Sequence, residues 1–229
     1  MVSAQTSVYS DCLAFLRVPG SKAGGRMAAE TSFSLPKGGI LGVFGDPGTG
    51  KSTLTRLAAL REMPSEGYIV CFGRNVLKCQ LAQLQEMRLR IGAVLEGSRL
   101  IEEASVAFNL KCLALLAEGC SKGTLKERTE ALFGLLECSG SLQAFLKLQV
   151  SILPESLKKK VLFIRECLLA PELLVLDRPF ELLGQRLCQR FLYGVQGVLQ
   201  KTAGILLTAS SPETARALQD RFPWVRLEA

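Results

Sequence analysis

Histidine is absent from this chain of 229 residues, and cysteine pairs of the Cys-x-x-Cys type are absent as well. Without an imidazole, any mechanism that depends on a histidine base is excluded. Without paired cysteines, the ligand spacing of a structural zinc site is missing, although eight cysteines are present. We therefore expect the cysteines to be buried free thiols in a protein of a reducing compartment.

Long apolar runs are also absent, although 48% of the residues are hydrophobic. A helix that crosses a bilayer needs roughly 20 apolar residues in sequence, and no charge-free apolar stretch reaches that length. The first residues of the chain lack the basic flank and the apolar segment of a secretory signal peptide. We therefore predict a cytoplasmic protein whose apolar residues fill the core of one α/β domain.

The charge is unbalanced, with 28 basic and 21 acidic residues and a net charge of +7. A positive balance is typical of proteins that bind nucleic acid, an anionic membrane surface or a phosphate ligand. The basic residues are spread along the chain, and the run of Lys158, Lys159 and Lys160 has no interleaved aromatic residues. We interpret this run as a solvated helix face and predict no nucleic-acid partner.

Short apolar runs without polar alternation predict strands that are covered on both faces by helices. The predicted strands are residues 39–44, 67–72, 90–95, 172–177 and 203–209. Two further short strands are expected on either side of a glycine-rich turn at 20–25, and helical spacing of leucine predicts a helix over 52–63. Between 101 and 148 long helical runs replace the strands, which indicates an inserted group of helices.

The segment between the strand at 39–44 and the following helix matches the phosphate-loop pattern G-x-x-x-x-G-K-S. Its glycines let backbone N–H groups turn toward phosphate oxygens. Lys51 can reach the β- and γ-phosphates, and the hydroxyl of Ser52 can bind Mg²⁺. The predicted nucleotide-binding residues are consecutive: Gly45, Asp46, Pro47, Gly48, Thr49, Gly50, Lys51, Ser52 and Thr53. Since no Asn-Lys-x-Asp guanine-binding motif is present, we predict ATP with Mg²⁺ as the ligand.

An acidic residue at the end of a neighbouring strand should complete such a site. Asp177 follows the apolar run from Leu173 to Leu176 and meets this requirement. Its carboxylate would hold the Mg²⁺, usually through water. The alternative is that Asp177 only caps the next helix.

The order and spacing of these segments resemble the ATP-binding cassette (ABC) family of transporter ATPases over essentially the whole chain. The resemblance is carried by the approach to the phosphate loop at 32–39, the strands at 66–69 and 90–94, and the block from 160 to 179 that ends in the Walker B strand. It implies an α/β fold: a P-loop NTPase core with a mostly parallel sheet, an N-terminal antiparallel β part and an inserted helical subdomain. We divide a single domain of 1–229 into a core of 1–96 and 151–229 and a helical subdomain of 97–150.

The chain departs from the family pattern at most positions that serve hydrolysis or dimer contacts. Glu96 stands at the Q-loop glutamine, Arg178 at the catalytic glutamate, and Ala209 or Ser210 at the switch histidine. The remaining departures are Val18 at the adenine-stacking aromatic, Gly184 at the D-loop aspartate and Leu153-Pro154-Glu155-Ser156-Leu157 at the LSGGQ signature. Because a guanidinium cannot accept a proton, Arg178 cannot act as the base that activates water.

The resemblance implies an ATP-binding subunit of a membrane transport complex that binds ATP and Mg²⁺ but hydrolyses ATP poorly. Its expected partners are an integral membrane permease and a second ABC ATP-binding subunit in a heterodimer. Its expected location is peripheral, on the cytoplasmic inner face of the cell membrane. Two alternatives stay open: a regulatory or scaffold protein that uses ATP as a structural ligand, and an ATPase that is active only with a fully equipped partner subunit.

Overall fold

The computed structural model describes residues 11–19, 30–114, 122–199 and 203–227, and these divide into two compact units. Within the described ranges, the first unit contains 11–96, 172–178 and 203–227, and the second contains 97–171 and 179–199. The subdomain boundaries at 97 and 150 stay a prediction of the sequence. The turn predicted at 20–25 lies outside the described residues.

Two sheets make up the strand content of the described part of the chain. In chain order the strands are β1 (Leu13–Pro19), β2 (Glu30–Leu35), β3 (Ile40–Phe44), β4 (Tyr68–Cys71), β5 (Arg74–Asn75), β6 (Ile91–Val94), β7 (Leu173–Leu176), β8 (Gly204–Ala209) and β9 (Trp224–Arg226). A parallel sheet has the order β6-β7-β8-β3-β9, and an antiparallel sheet has the order β2-β1-β4-β5. The α/β class with a parallel and an antiparallel sheet is therefore confirmed.

Two inner strands of the parallel sheet, β7 and β8, are buried throughout. Every residue of β7 and β8 is buried, which agrees with their largely apolar sequences. In parallel sheets the carboxyl ends of the strands lie at one edge, where ligands usually bind. The register pairs Val94 at the end of β6 with Leu176 at the end of β7, so the residues that follow these two strands are brought close together.

The helices alternate with the strands in the first unit and predominate in the second. They are α1 (Lys51–Ala58), α2 (Leu81–Leu89), α3 (Val106–Ala114), α4 (Lys122–Leu135), α5 (Leu142–Lys147), α6 (Glu155–Cys167), α7 (Pro179–Leu183), α8 (Gln185–Val198) and α9 (Pro212–Leu218). Within the second unit, the rings of Phe163 and Phe191 meet edge to face at a centroid distance of 5.1 Å. None of the described helices combines the length and the apolar character needed to cross a bilayer.

The helix predicted over 52–63 is shorter than expected, because α1 ends at Ala58. Leu60 adopts a left-handed backbone with a φ of 54°. Its N–H donates to the carbonyl of Leu57 at 3.0 Å, and the N–H of Arg61 donates to the carbonyl of Arg56 at 2.8 Å. This pair of bonds is the Schellman arrangement that closes a helix. The spacing of apolar residues in the sequence therefore did not show where the backbone leaves the helix.

The cysteines within the described ranges are free thiols. Cys12, Cys71, Cys167 and Cys188 are buried in the apolar interior. Burial disfavours the thiolate and raises the pKa of all four, for Cys12 to about 11. A thiol with a raised pKa is a poor nucleophile, so these side chains act as packing residues.

Candidate functional site

The phosphate loop joins the end of β3 to the start of α1, and its glycines are required for two different reasons. Gly48 and Gly50 have φ values of 86° and 92°, a region that residues with a Cβ rarely adopt. Gly45 is required by close packing, because a Cβ there would lie 2.8 Å from the carbonyl oxygen of Leu227 and 2.8 Å from Oγ1 of Thr49. The loop backbone therefore has the curvature that the motif predicts.

Lys51 is the first residue of α1 and is buried, with 7% of its surface exposed. Its ammonium Nζ donates to the carbonyl oxygen of Gly45 at 2.6 Å and to that of Asp46 at 2.7 Å. The ammonium is thus held by the backbone of the loop, close to the positive N-terminus of α1. A phosphate oxygen that replaced these carbonyls would form a stronger, charge-assisted hydrogen bond.

Asp177 follows β7 directly and is almost completely buried, with 3% of its surface exposed. Its Oδ1 accepts a hydrogen bond of 2.7 Å from the hydroxyl of Thr208, and that hydroxyl accepts a bond of 3.0 Å from the backbone N–H of Arg178. Thr208 lies on the neighbouring strand β8 and is itself fully buried. A single threonine therefore fixes both the carboxylate and the residue after it.

The second carboxylate oxygen of Asp177, Oδ2, is buried and has no hydrogen-bond donor among the described residues. A buried charged oxygen without a partner is costly. Mg²⁺ binds proteins through one or two carboxylate or hydroxyl oxygens and keeps several waters. The carboxylate of Asp177 and the hydroxyl of Ser52, on the first turn of α1, are therefore oxygen ligands of the kind that Mg²⁺ takes.

Glu96 and Arg178 form an ion pair, with Nη2 of the arginine 3.1 Å from Oε1 of the glutamate. Glu96 follows β6 and Arg178 follows Asp177 at the end of β7, so the adjacency of these two strands brings the pair together. Nε of Arg178 also lies 3.9 Å from Oδ1 of Asp177. The side chain of Arg178 is 34% exposed and that of Glu96 is 62% exposed.

One cleft of about 330 Å³ joins the phosphate loop to this ion pair. It is lined by Pro47, Gly48, Gly50, Lys51, Ser52, Thr53, Glu96, Arg178 and Ser210. The residues that the sequence singled out on separate segments, Glu96, Arg178 and Ser210, therefore share one cleft with the phosphate loop. Three other residues of the loop, Gly45, Asp46 and Thr49, do not line the cleft. Thr49 is buried, and its hydroxyl donates to the carbonyl of Asp46 at 2.9 Å, which holds the loop in shape.

Val18 and the signature positions lie outside this cleft. Val18 is buried on β1 and borders a cavity of about 10 Å³ beside Gly50 and Thr53. Pro154 and Glu155 lie in the second unit, where Glu155 begins α6 and pairs with Lys158 at 3.1 Å.

Sequence reasoning missed Thr208 as a residue of the site. The signal was present, because a hydroxyl stands near the end of the apolar strand sequence GILLTA. A polar side chain in a strand that is buried on both faces needs a hydrogen-bond partner. Here the partners are Asp177 and Arg178.

Comparison with known proteins identifies the family to which this architecture belongs. The model of the ABC transporter family matches residues 28–181. The methionine import ATP-binding protein MetN of Helicobacter pylori is 31% identical over 170 residues, which cover 74% of this chain and 50% of that protein. The phosphonates import ATP-binding protein PhnC of Treponema denticola is 27% identical over 204 residues, which cover 86% of this chain and 79% of that protein. This chain spans about half the length, or less, of the MetN relatives it matches.

Solved structures show the same fold. The ATP-binding cassette MJ0796, in a dimeric post-hydrolysis state bound to ADP and Pi, superposes with a TM-score of 0.77 at 16% identity and covers 94% of each chain. An ATP-binding subunit of an ABC transporter superposes with a TM-score of 0.75 at 26% identity, covering 95% of this chain and 86% of that one. With its phosphate loop, its two sheets and a family match over more than half of its length, this chain belongs to the ABC transporter family.

Proposed function

We propose that this chain is the ATP-binding subunit of an import-type ABC transport complex, and that it binds ATP with Mg²⁺ but hydrolyses ATP poorly. The observation that carries the proposal is the cleft that the phosphate loop shares with Arg178, which stands at the family's catalytic glutamate position. The import relatives MetN and PhnC support the transport role.

ATP binding is supported by the loop geometry and by the position of Lys51. The loop N–H groups, the Lys51 ammonium and the N-terminus of α1 provide positive charge for the β- and γ-phosphates. Ser52 and Asp177 would hold Mg²⁺, which neutralises charge on the phosphate oxygens when bound. This assignment also gives Oδ2 of Asp177, which has no donor among the described residues, a cation to bind.

Poor hydrolysis is expected because Arg178 follows Asp177 at the end of β7, where the family resemblance places the glutamate that activates water. Of the nine lining residues, Glu96 alone carries a carboxylate, and Arg178 is paired with it at 3.1 Å. The guanidinium of Arg178 has only N–H donors and no acceptor, so it cannot take a proton from water. Loss of a general base typically slows a reaction by roughly 10²- to 10⁴-fold.

A permease partner on the inner face of the membrane is supported by apolar side chains in the second unit. Phe108 is 52% exposed and Ile152 is 65% exposed, and Ile101 and Leu148 are exposed as well. These side chains lie on two segments, 101–108 and 148–152. Backbone hydrogen bonds join the segments, such as the 2.9 Å bond from the Val106 N–H to the carbonyl of Leu148. Exposed apolar clusters of this kind mark protein interaction surfaces. The proposed second ATP-binding subunit would complete the assembly as a heterodimer.

Binding and turnover of ATP test the nucleotide part of the proposal. Calorimetry with Mg²⁺ and a slowly hydrolysed ATP analogue should show binding to the native chain and none to Lys51→Ala. Phosphate release by the isolated chain should stay well below ~1 s⁻¹, the low end of typical turnover numbers. Turnover at this rate or faster that is lost in Lys51→Ala would contradict the proposal of poor hydrolysis. Its loss in Glu96→Gln as well would identify Glu96 as the base.

Purification from native membranes tests the transport part. A tagged full-length chain should retain a polytopic membrane protein, identified by mass spectrometry. The double variant Phe108→Ser/Ile152→Ser should lose that protein, whereas Lys51→Ala should keep it. If no membrane protein is retained although the chain binds ATP, the scaffold alternative is favoured.

A further inference from the structure

We propose that Glu96 and Arg178 form a latch that distinguishes a nucleoside triphosphate from a diphosphate. When a triphosphate binds, the guanidinium of Arg178 exchanges the carboxylate of Glu96 for the terminal phosphate. A diphosphate lacks that group, and the ion pair stays closed. This inference rests on the proposed ATP binding and adds a specificity role for two residues at positions that serve hydrolysis in the family pattern.

The position of Arg178 relative to Asp177 supports contact with the terminal phosphate. Asp177 would hold the Mg²⁺ that neutralises charge on the phosphate oxygens of a bound nucleotide. Nε of Arg178 is 3.9 Å from Oδ1 of that aspartate, and Arg178 lines the same cleft as Lys51 and Ser52. A cation so close to the metal-binding carboxylate lies within reach of the last phosphate of the chain.

The backbone of Arg178 is held in an uncommon conformation by its surroundings. Its φ of 51° lies in the left-handed region, which is uncommon for a residue with a side chain. Such strained residues persist where neighbouring structure enforces them, and they concentrate at ligand sites. Here the enforcing contact is the 3.0 Å bond from the Arg178 N–H to Thr208, whose hydroxyl also binds Asp177.

The ion pair is suited to exchange because it is solvated. With 62% of its side chain exposed, Glu96 can turn into water once it is released, and exposed ion pairs contribute little stability. A terminal phosphate carries more charge than a carboxylate and accepts both arms of a guanidinium. The exchange also separates the carboxylate of Glu96 from the incoming anion, which removes a repulsion between like charges.

Calorimetric titrations with ADP and with a slowly hydrolysed ATP analogue, both with Mg²⁺, test the latch. Arg178→Gln should weaken binding of the analogue by about 10- to 100-fold, the loss of a charge-assisted contact, and change ADP binding by less than about threefold. Glu96→Gln should strengthen binding of the analogue by roughly three- to tenfold, because the competing acceptor loses its charge. In the Arg178→Gln background, Glu96→Gln should have a much smaller effect.

Two further variants serve as controls. Arg221→Gln removes the same charge at an exposed position outside the cleft lining and should leave both affinities unchanged. Arg178→Asn removes the guanidinium and places a residue that tolerates the left-handed backbone, so it tests the latch even if Arg178→Gln folds poorly. Equal weakening of ADP and analogue in the Arg178 variants, or weaker analogue binding by Glu96→Gln, would overturn the latch while leaving ATP binding intact. A native chain that binds neither nucleotide would overturn the proposed function itself.

Discussion

At the scale of single residues, Thr208 has two roles in the candidate site. Its hydroxyl donates to Asp177 and accepts from the backbone of Arg178, and the side chain is fully buried. Without it, both oxygens of the Asp177 carboxylate would lack a donor among the described residues, since Oδ2 already has none. Loss of the Thr208 hydroxyl would also remove the acceptor of the backbone N–H of Arg178, whose φ lies in the left-handed region.

Thr208→Val should therefore lower the free energy of unfolding by about 1–3 kcal/mol, because it leaves buried polar groups unpaired. It should also weaken Mg²⁺-dependent binding of an ATP analogue. Urea unfolding and calorimetry measure the two effects. Thr208→Ser keeps the hydroxyl and should retain most of the nucleotide affinity, and equal affinities of the Ser and Val variants would show that the hydroxyl does not position the site.

The residues of the phosphate loop could be predicted from the sequence because each lies at a fixed place in one contiguous motif. The pairing of Glu96 with Arg178 could not be predicted in this way. The two residues were singled out separately, and their contact depends on β6 lying beside β7 in the sheet. A sheet order is a tertiary property that neither segment carries in its own sequence.

At the scale of helices and strands, two of the described helices are followed by a left-handed residue that is not glycine. Ala170 lies just beyond the end of α6 in the left-handed region, with a φ of 49°, and its N–H donates to the carbonyl of Cys167 at 3.0 Å. Glycine is the usual residue at such a position. Neither Ala170 nor Leu60 gives this glycine signal, so the left-handed turns after α6 and α1 could not be predicted from it, although Pro171 marks the region where α6 ends. By contrast, β7 and β8 were predictable because their apolar runs match their complete burial.

Ala170→Gly should raise the free energy of unfolding by about 0.5–1.5 kcal/mol, because glycine avoids the left-handed penalty of a side chain. Ala144 is exposed within α5 and provides the matched control. There the same substitution should lower the free energy of unfolding by about 0.5–1 kcal/mol. Chemical denaturation measures both, and a loss of stability at both positions would contradict the assignment of strain to Ala170.

An ion pair links the starts of two neighbouring strands. Arg90 precedes β6 and Glu172 precedes β7, and their side chains form two hydrogen bonds of 2.7 and 2.9 Å. Arg90 also lies over the ring of Phe72 at 4.1 Å. The bonds from Arg90 hold the pKa of Glu172 below its ordinary value of 4.5, so the charged form of Glu172 is favoured in the folded state.

The pH dependence follows from the sign of this shift. A carboxyl whose pKa is lower in the folded state stabilises the fold above the unfolded-state pKa, and that stability is lost as the pH falls through the folded-state pKa. Glu172→Gln should therefore lower the free energy of unfolding at pH 7 and have a smaller effect as the pH falls below about 4. Denaturation curves of both proteins at several pH values measure this difference, and a gap that is constant with pH would rule out the ion pair as its cause.

At the scale of the whole molecule, the segment at the family's signature position carries a negative charge, that of Glu155. This charge is unfavourable for contact with the phosphate bound by a second subunit. Glu155 is the first residue of α6, and 78% of its side chain is exposed. An acidic residue in the first turn of a helix already interacts with the positive end of the helix dipole. Pro154, directly before it, has no backbone N–H to donate. In ABC assemblies, as the family resemblance implies, this segment would meet the γ-phosphate bound by a partner subunit.

We therefore expect no ATP-driven homodimer. In a symmetric pair, Glu155 would face a terminal phosphate at both sites, and like charges at close range repel. Size-exclusion chromatography of the isolated chain should give the same elution volume with and without ATP and Mg²⁺. Replacing the pair by Pro154→Ser and Glu155→Gly restores a donor and removes the charge, and should promote association only when Lys51 is intact. A clean ATP-dependent dimer of the native chain would contradict the heterodimer proposal, because the chain could then complete both sites by itself.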